Sequence, residues 1–452
     1  MQIRMKLAII AVLVVMLTIP LYFITSKIYE RDSYRNVARD DIARSWTGEQ
    51  KLMGPILVVP YTRVVNKREF DDKLKQYVHR KIETSEELLL LPETLDANFR
   101  LSTEVRYRGI YEVPVYSGAA KLSGTLSTAR VNELRQRPGT KSIGEPYLSL
   151  VIDDVRGITR TPDLNVGARK VAFEPGSKFR PRTSGIHAPI DIKYSETNEL
   201  IPFAISMDLR GISSFRFAPV GNSNSVNIVS NWPHPRFDGL YLPAAREIAA
   251  DGFTANWQIS TFSTNMEDHA LQCSAGDCGA LLNNHLGVSL VEPVDIYLQS
   301  QRASKYGVLF IGLTFMAFFL FEVLRELDIH PIQYGLVGLA LTVFYLILVS
   351  LAEHIPFGAA YSIATAACCG LLGFYVSYVL GKIRRGVAFA LSIAGLYGVL
   401  YIIIQAEDYA FSMGAGLVFT ALAATMYFTR NVDWYELSGG WPRFAAKGVD
   451  QP

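Results

Sequence analysis

The chain has 452 residues, with 44 Lys and Arg against 42 Asp and Glu and a formal net charge of +2. This balance gives no electrostatic case for nucleic-acid binding, which needs a strongly basic face. Hydrophobic residues make up 50% of the chain although 19% of the residues are charged. Such a composition indicates that apolar and polar residues occupy separate regions of the chain.

The first apolar segment is Leu7–Thr25, which contains no charged residue and follows Arg4 and Lys6. A helix needs about 20 apolar residues to cross a bilayer. A cleaved signal peptide would have a shorter apolar core that ends in small residues before a cleavage site. This segment continues into Ser26 without such a site, so the sequence predicts an uncleaved membrane anchor.

The second apolar region begins near Tyr306 and contains five segments that are long enough to cross a bilayer. These segments are Tyr306–Leu324, Ile332–Leu351, Phe357–Leu380, Val387–Ile404 and Tyr409–Phe428. Their short connections favour antiparallel neighbours. The predicted fold is therefore a mixed membrane protein with a transmembrane anchor, a large β-rich domain and a five-helix bundle. The predicted domains are residues 1–27, residues 28–304, residues 305–430 and a tail of residues 431–452.

The positions of Lys and Arg predict the orientation, because cytoplasmic connections are enriched in both. If the N-terminus lies in the cytoplasm, the inner connections and the tail hold the basic residues Arg325, Lys382, Arg384, Arg385, Arg430, Arg443 and Lys447. The outer connections, AEHIP and QAED, hold none. The sequence predicts that both termini are cytoplasmic and that residues 28–304 lie outside the cytoplasm.

Strand signals dominate the region between the anchor and the bundle. The anchor is expected to continue as a helix through Ile28–Lys51 and to stop at Gly54-Pro55. Ile56–Val65 is β-branched and aromatic, and Phe99–Ser127 alternates in part between apolar and polar residues. Strands at this spacing, separated by turn residues, predict a sandwich-like pair of sheets.

The segment SNWPHPRF, Ser230–Phe237, places Trp232 and His234 beside two prolines. Proline disfavours helix in the residue before it. The segment is either an exposed lip that binds a partner or a glycan, or a strand-ending corner with Trp232 in the core, and the corner is favoured. One histidine without neighbouring ligands is not a metal site.

Cys273 and Cys278, in CSAGDC, are the cysteines outside the apolar segments. A small glycine-containing loop in an oxidising compartment predicts a disulfide. His269 and His285 flank the pair, but their spacing matches no zinc-binding pattern, so neither a metal nor a cofactor is predicted. The common hydrolase and nucleotide-binding motifs are absent from the sequence, which favours a protein that is not an enzyme without excluding an enzyme.

Ionisable residues within a bilayer would mark a transport path or proton relay, and the apolar segments contain almost none. Glu322 is near the end of its segment. Solvation at headgroup level is the favoured interpretation for four residues of the outer connections, and a binding site at the outer mouth of the bundle is the alternative. These residues are Glu353, His354, Glu407 and Asp408.

Small residues recur along the segment Phe357–Leu380 and just beyond it. They are Ala366, Gly370, Gly373, Ser377 and Gly381. Small residues at a spacing near four allow helices to approach closely. The pattern predicts a closely packed bundle or a contact in a homo-oligomer.

Several segments together resemble the CreD family of bacterial inner-membrane proteins, and the resemblance covers nearly the whole chain. They are QKLMGPILVVPY (Gln50–Tyr61), FEPG (Phe173–Gly176), SNWPHPRF, LPAARE (Leu242–Glu247), Arg302–Glu322, His330–His354 and TRNVDWY (Thr429–Tyr435). The resemblance implies a bacterial inner-membrane protein linked to cell-envelope integrity, to a two-component signalling system and to the stress response. It implies no set of catalytic residues.

The predicted function is a contribution to envelope integrity through a periplasmic domain, residues 28–304, that binds envelope proteins, peptidoglycan or lipid. The alternative is a membrane enzyme or lipid transporter that acts at the periplasmic mouth of the bundle. Besides these partners, the sequence predicts contact with the lipid bilayer and none with nucleic acid.

Overall fold

The computed structural model describes residues 3–71, 76–180, 182–192, 198–292, 295–324, 329–379, 381–406 and 409–430. The chain divides into two compact units. We call Asn36–Pro293 the β-rich unit, and Met1–Arg35 together with Val294–Pro452 the helical unit. Each unit is described by itself.

The described residues form ten α-helices. The helices are α1 (Ile3–Ser45), α2 (Ala129–Gln136), α3 (Thr261–Thr264), α4 (Met266–Ser274), α5 (Gly279–Asn283), α6 (Ile296–Leu324), α7 (Pro331–Ala352), α8 (Phe357–Val379), α9 (Ile383–Gln405) and α10 (Ala410–Thr429).

The same residues form 17 strands, all in the β-rich unit. The strands are β1 (Gln50–Asp71), β2 (Gln76–Leu90), β3 (Thr94–Arg108), β4 (Tyr111–Ser127), β5 (Thr140–Ile143), β6 (Tyr147–Ile152), β7 (Asp163–Val166), β8 (Arg169–Ala172), β9 (Glu174–Pro175), β10 (Gly185–Pro189), β11 (Leu200–Ile212), β12 (Ser214–Ala218), β13 (Ser223–Ser230), β14 (Pro235–Gly239), β15 (Ala245–Ala249), β16 (Gly252–Ser260) and β17 (Leu286–Leu290).

The β-rich unit contains a nine-stranded and an eight-stranded sheet. The larger sheet has the order β14-β17-β12-β1-β6-β10-β9, and β2 and β5 also pair with β1. The smaller sheet has the order β15-β16-β13-β3-β4-β11-β7-β8. The pairs β1–β12 and β3–β13 are parallel, and the other strand pairs of the described residues are antiparallel.

The core of the β-rich unit lies where the two sheets pack face to face. Along the first part of β3 buried and exposed residues alternate, as the pleat of a half-buried strand requires. The inward Phe99 of β3 meets Phe215 and Phe217 of β12, with ring centroids 4.7 and 5.1 Å apart. This packing of two sheets forms the central β-rich region that the sequence predicts.

Helix α1 ends earlier than the sequence predicts, at Ser45. The guanidinium group of Arg156 donates hydrogen bonds to the carbonyl oxygens of Ala43 and Arg44, which satisfies acceptors that a helix end leaves free. Gly54-Pro55 lies within β1, so the expectation that these residues stop the helix is wrong. Gly54 has a φ of +119°, a conformation that favours glycine.

The described residues of the helical unit include six helices that are long and apolar enough to cross a membrane, namely α1 and α6 to α10. Leu17 and Leu21 of α1 belong to the same hydrophobic core as residues of α6 to α9. A Cβ atom at Gly338 of α7 would overlap Leu17, and one at Gly307 of α6 would lie 2.8 Å from Leu21. The anchor helix therefore packs as a member of the bundle, because glycines on two other helices admit its leucines.

Helices α8 and α9 pack closely through small residues. A Cβ at Gly373 of α8 would lie 2.9 Å from the Cβ of Ala390, and one at Gly386 of α9 would overlap Ser377. The predicted close packing is therefore present at Gly373 and Ser377. At Gly370, in contrast, an added Cβ would meet no atom within 4 Å.

Candidate functional site

The SNWPHPRF segment joins β13 to β14. The indole N–H of Trp232 donates a hydrogen bond to the carbonyl oxygen of Val291 at 3.0 Å, and the ring packs against the core of the β-rich unit. The backbone N–H of Val291 in turn donates to the carbonyl oxygen of His234 at 3.1 Å, and the His234 side chain is exposed. These contacts are those of a strand-ending corner, and binding by Trp232 and His234 stays a prediction.

Cys273 and Cys278 form a disulfide with their Cα atoms 4.0 Å apart. Nδ1 of His285 lies 2.8 Å from the carbonyl oxygen of Asn283, and burial together with the nearby charge of Lys51 lowers the pKa of His285. Within the part of the chain that the structure describes, no group of three or more His, Cys, Asp or Glu side chains could hold a metal ion. The oxidation of the two cysteines in the cell stays a prediction.

Glu353, at the end of α7, has partners within the helical unit. Its Oε1 accepts a hydrogen bond from the Tyr297 hydroxyl at 3.2 Å and lies 3.4 Å from Nε of Arg31. The neighbouring His354 is exposed. Glu407 and Asp408 lie outside the described residues. The contacts of Glu353 join the end of α7 to α1 and to the start of α6. A binding role for the four predicted residues stays a prediction.

A buried ion pair between Lys6 and Glu322 lies in the same unit. The second carboxylate oxygen of Glu322 accepts a hydrogen bond from the Tyr334 hydroxyl at 2.6 Å, and the backbone N–H of Ile329 donates to the first at 3.2 Å. A buried charge is tolerated when it is paired and hydrogen-bonded. Sequence reasoning noted Glu322 but missed its partner Lys6, because the two residues are 316 positions apart.

A polar cleft of the β-rich unit lies between the end of α1 and the end of β3. Its volume is about 570 Å³. We call it the arginine cleft and define it by Asp41, Arg44, Trp46, Arg106, Tyr107 and Arg108. The last turn of α1 reaches this position because Ile42 packs into an apolar cluster with Val113, Val115 and Ile212 of the sheet.

The arginine cleft carries more positive than negative charge. Arg44 and Arg108 lie 2.6 and 3.7 Å from the two oxygens of Asp41, and Arg106 pairs with Glu104 at 2.9 Å. Three guanidinium groups thus face two carboxylates. All three arginines are exposed, so their remaining N–H donors are accessible to an anion.

Trp46 forms a wall of the arginine cleft, and two guanidinium groups lie over its ring. The guanidinium carbons of Arg106 and Arg210 lie 3.7 and 4.5 Å from the ring centroid. Among the described residues, the buried indole N–H of Trp46 finds no acceptor. Stacking restricts the side chains of Trp46 and Arg106 before any ligand binds. Less side-chain entropy is therefore lost when a ligand binds.

Hydrogen bonds beneath the arginine cleft fix its base. The side-chain N–H groups of Gln50 donate to the carbonyl oxygens of Asp154 at 2.8 Å and of Arg210 at 3.1 Å. Asp154 accepts from the backbone N–H of Gly48 at 2.8 Å and from Arg156. The hydrogen bonds from Arg156 hold the pKa of Asp154 well below its usual range, although partial burial opposes this shift. These hydrogen bonds join Gly48 and Gln50, which follow Trp46 in the chain, to the turn at Asp154 and to Arg210 of β11.

A second charged group surrounds Glu49 on the larger sheet. Glu49 pairs with Arg39 and lies 3.0 Å from Arg216, which lies 3.6 Å from Asp238. Burial would raise the pKa of Glu49, but the hydrogen bond with Ser214 and the charges of the two arginines outweigh it and lower the pKa. Because these charges are matched within the group, it stabilises the fold rather than offering an open site.

Sequence reasoning missed the arginine cleft. Arg106 and Arg108 stand at i and i+2 near the end of β3, which places them on one face of a strand, and this spacing was a usable signal. Trp46 follows a helix some 60 positions earlier in the sequence, and nothing local relates it to Arg106. Only the packing of α1 on the sheet brings the two side chains together.

The chain has one apolar helix near its start and five near its end, among the described residues. The β-rich unit lies in the connection between the first and the second of these helices. This arrangement defines the class: a membrane protein with a large folded unit between its first two apolar helices. A family model described as inner membrane protein CreD matches residues 2–435. The chain therefore belongs to the CreD family of inner-membrane proteins, which confirms the resemblance seen in the sequence. Inner membrane protein CreD of Escherichia coli (strain K12) is 34% identical over 430 residues, which cover 94% of this chain and 92% of that protein.

Solved structures match only part of the chain. An M1 zinc metallopeptidase from Deinococcus radiodurans matches at 9% identity and a TM-score of 0.20, over 44% of this chain and 42% of that chain. Native leukotriene A4 hydrolase from Saccharomyces cerevisiae matches at 11% identity and a TM-score of 0.21, over 46% and 30%. The chain thus spans less than half the length of these proteins. Such low scores support no statement about fold or function.

Proposed function

We propose that this protein maintains cell-envelope integrity at the inner membrane, and that its β-rich unit lies in the periplasm and binds an anionic envelope component. Membership in the CreD family supports the inner membrane, and the envelope process is the one with which this family is associated. Anionic phospholipid headgroups, peptidoglycan carboxylates and acidic protein segments are envelope ligands that share the required charge.

The distribution of basic residues supports the periplasmic placement. The GKIRRG connection between α8 and α9 carries Lys382, Arg384 and Arg385, whereas AEHIP between α7 and α8 carries no Lys or Arg. Cytoplasmic connections are the ones enriched in basic residues. The disulfide of the β-rich unit fits the same placement, because disulfides persist in oxidising compartments.

The observation that carries the binding proposal is the arginine cleft. Arginine presents a planar fork of donors that matches carboxylate and phosphate oxygens. Three exposed arginines beside a fixed Trp46 offer both donors and an aromatic wall. This combination fits an anionic group attached to a sugar, a peptide or a lipid headgroup.

The placement is tested by labelling single cysteines in intact cells with a membrane-impermeant maleimide. Two variants serve, Arg169→Cys on β8 and Lys382→Cys between α8 and α9, because both side chains are exposed. We expect Arg169→Cys to react in cells whose outer membrane alone is permeabilised, and Lys382→Cys to react only after lysis. The reverse pattern would contradict the periplasmic placement.

The binding role is tested by complementation in cells that lack the protein and show an envelope defect. Full-length protein with Arg44→Ala, Arg106→Ala and Arg108→Ala should reach the membrane but fail to restore envelope integrity, measured by leakage of a periplasmic reporter enzyme. The matched control is Arg169→Ala with Lys170→Ala, which removes exposed, ion-paired cations outside the cleft. Full rescue by the cleft variant would reject the proposal.

The second candidate is a membrane enzyme or lipid transporter that acts at the periplasmic mouth of the helical unit. Glu353 and His354 are the described residues that would carry it, and Tyr297 and Arg31 contact the carboxylate of Glu353. In the same complementation assay this candidate predicts that Glu353→Gln abolishes rescue while the cleft variant retains it.

A further inference from the structure

A groove in the outer surface of the helical unit runs between α8 and α9. Its volume is about 810 Å³. Small residues such as Gly370, Gly373 and Ala390 form its floor, and Phe374 and Leu391 flank it. Both flanking side chains are mostly exposed. In a membrane the groove would therefore open toward lipid rather than toward the other helices.

The groove exists because α8 and α9 approach each other closely. Gly373 and Ala390 meet at the helix contact, where no larger side chain fits. At Gly370, on the groove side, an added Cβ would meet no atom within 4 Å. Close backbone approach with small side chains thus leaves an elongated empty space between the flanking large residues.

One end of the groove is cationic. Lys382 lines that end and Arg384 follows it at the start of α9, and both are exposed. The connection GKIRRG contains no acidic residue. Among the described residues, no carboxylate lies within ion-pair distance of Lys382 or Arg384. This end of the groove therefore has positive charge that is not matched within the described part of the chain.

The length of the groove matches one acyl chain. From Lys382 the groove extends along α9 to Ala394 and along α8 to Cys369. At a rise of about 1.5 Å per residue, the stretches Cys369–Val379 of α8 and Ile383–Ala394 of α9 are roughly 15–17 Å long. One leaflet contributes about 15 Å of hydrocarbon to a bilayer core of about 30 Å. A lipid whose phosphate lies at Lys382 would place its chain along the full groove.

We propose that the α8–α9 groove is a binding site for one anionic phospholipid. Lys382 and Arg384 contact the headgroup phosphate, and an acyl chain lies on Gly370 and Gly373 between Phe374 and Leu391. Basic residues at the ends of membrane helices recognise anionic headgroups by charge. The apolar floor adds burial of the chain, which a free phosphate could not provide.

The test is native mass spectrometry of the full-length protein in detergent, titrated with phosphatidylglycerol and with phosphatidylethanolamine of the same acyl chains. We expect one phosphatidylglycerol to be retained per chain, with at least tenfold weaker retention of phosphatidylethanolamine. Lys382→Gln with Arg384→Gln should weaken phosphatidylglycerol binding about thirtyfold. The matched control, Lys305→Gln, removes an exposed cation outside the groove and should leave binding unchanged.

A second pair of variants tests the acyl site. Gly370→Leu should fill the groove and lower the retention of phosphatidylglycerol, because Gly370 lines the groove and has space beside it. Gly398→Leu on α9 is the control, since an added Cβ there also meets no atom within 4 Å and the residue does not line the groove. Equal retention of the two lipids, or equal effects of the two glycine variants, would overturn the proposal.

Discussion

The buried ion pair of the helical unit and the arginine cleft of the β-rich unit expose their charged side chains to opposite degrees. In the helical unit, the side chains of Lys6 and Glu322 are only 10% and 6% exposed, and each is paired. In the β-rich unit, the side chains of Arg44, Arg106 and Arg108 are 73%, 43% and 66% exposed. The first arrangement joins helices, and the second presents cations to solvent.

This difference has an energetic reason. Breaking a buried pair by removing one partner leaves an uncompensated charge in a medium that solvates it poorly. An exposed pair adds little to stability, because water and salt screen it. Stability therefore depends on the buried pair of Lys6 and Glu322, whereas the exposed charges of the arginine cleft can change at little cost to the fold.

The variant Glu322→Ala should have the largest effect on stability. It leaves Lys6 buried without its counter-ion and also removes the acceptor of the Tyr334 hydroxyl. We expect a loss of about 3–5 kcal/mol in unfolding free energy, measured by denaturant titration of the protein in detergent. Glu30→Ala is the control, because its pair with Lys27 is 43% and 70% exposed and should contribute less than about 1 kcal/mol. Similar losses in the two variants would contradict the distinction.

A second variant tests whether close packing, in addition to the buried pair, stabilises the helical unit. Gly386→Ala would place a Cβ against Ser377 and within 2.7 Å of the Gly373 carbonyl oxygen. Overpacking of this kind should cost up to about 3 kcal/mol, measured in the same titration. Gly398→Ala has open space and should be neutral or slightly stabilising. The idea fails if Gly386→Ala is tolerated equally well.

In the β-rich unit, the disulfide should stabilise more than any single exposed ion pair. Cys278→Ser opens the link to Cys273, and closure of so short a loop contributes about 2 kcal/mol. Wild type and variant should differ by this amount in unfolding followed by tryptophan fluorescence without reductant. With reductant the difference should vanish. A wild type that is insensitive to reductant and equal to the variant would show that the pair is not oxidised.

The smallest expected effect concerns the pH dependence of the β-rich unit. The pKa of Asp154 is lowered in the folded state, mainly by hydrogen bonds from Arg156, relative to about 3.9 in an unfolded chain. The unfolded state therefore binds the proton more readily, so this stabilisation is present above about pH 4 and is lost as the pH falls below that value. Asp154→Asn should flatten the decline of unfolding free energy below about pH 4. Asp163→Asn, in an exposed pair with Lys170, should retain the wild-type slope.

The sequence predicted the features that a bilayer or a sheet imposes on consecutive residues. Long apolar runs identify α6 to α10, because a span requires about 20 apolar residues. The alternation along β3 identifies a strand with one buried face, because side chains of a strand point to opposite faces. The recurrence of small residues anticipated the contact at Gly373 and Ser377.

Features that depend on residues distant in sequence could not be predicted in this way. Nothing near Lys6 indicates that it pairs with Glu322, and no periodicity indicates that Leu17 of the anchor fits against Gly338. The arginine cleft likewise arises where a helix end meets a strand end. The helix end itself was misplaced because Arg156, which satisfies its last carbonyl groups, comes from a distant turn.

Complementation by the β-rich unit alone at the membrane is the most direct test of the proposed binding role. Residues 36–293 would be fused to an unrelated single membrane helix and expressed in cells that lack the protein and show an envelope defect. We expect rescue by this chimera, and no rescue when Arg44, Arg106 and Arg108 of the chimera are replaced by Ala. A chimera that is folded and located at the membrane but does not rescue would contradict the proposed role of the β-rich unit and assign the function to the helical unit.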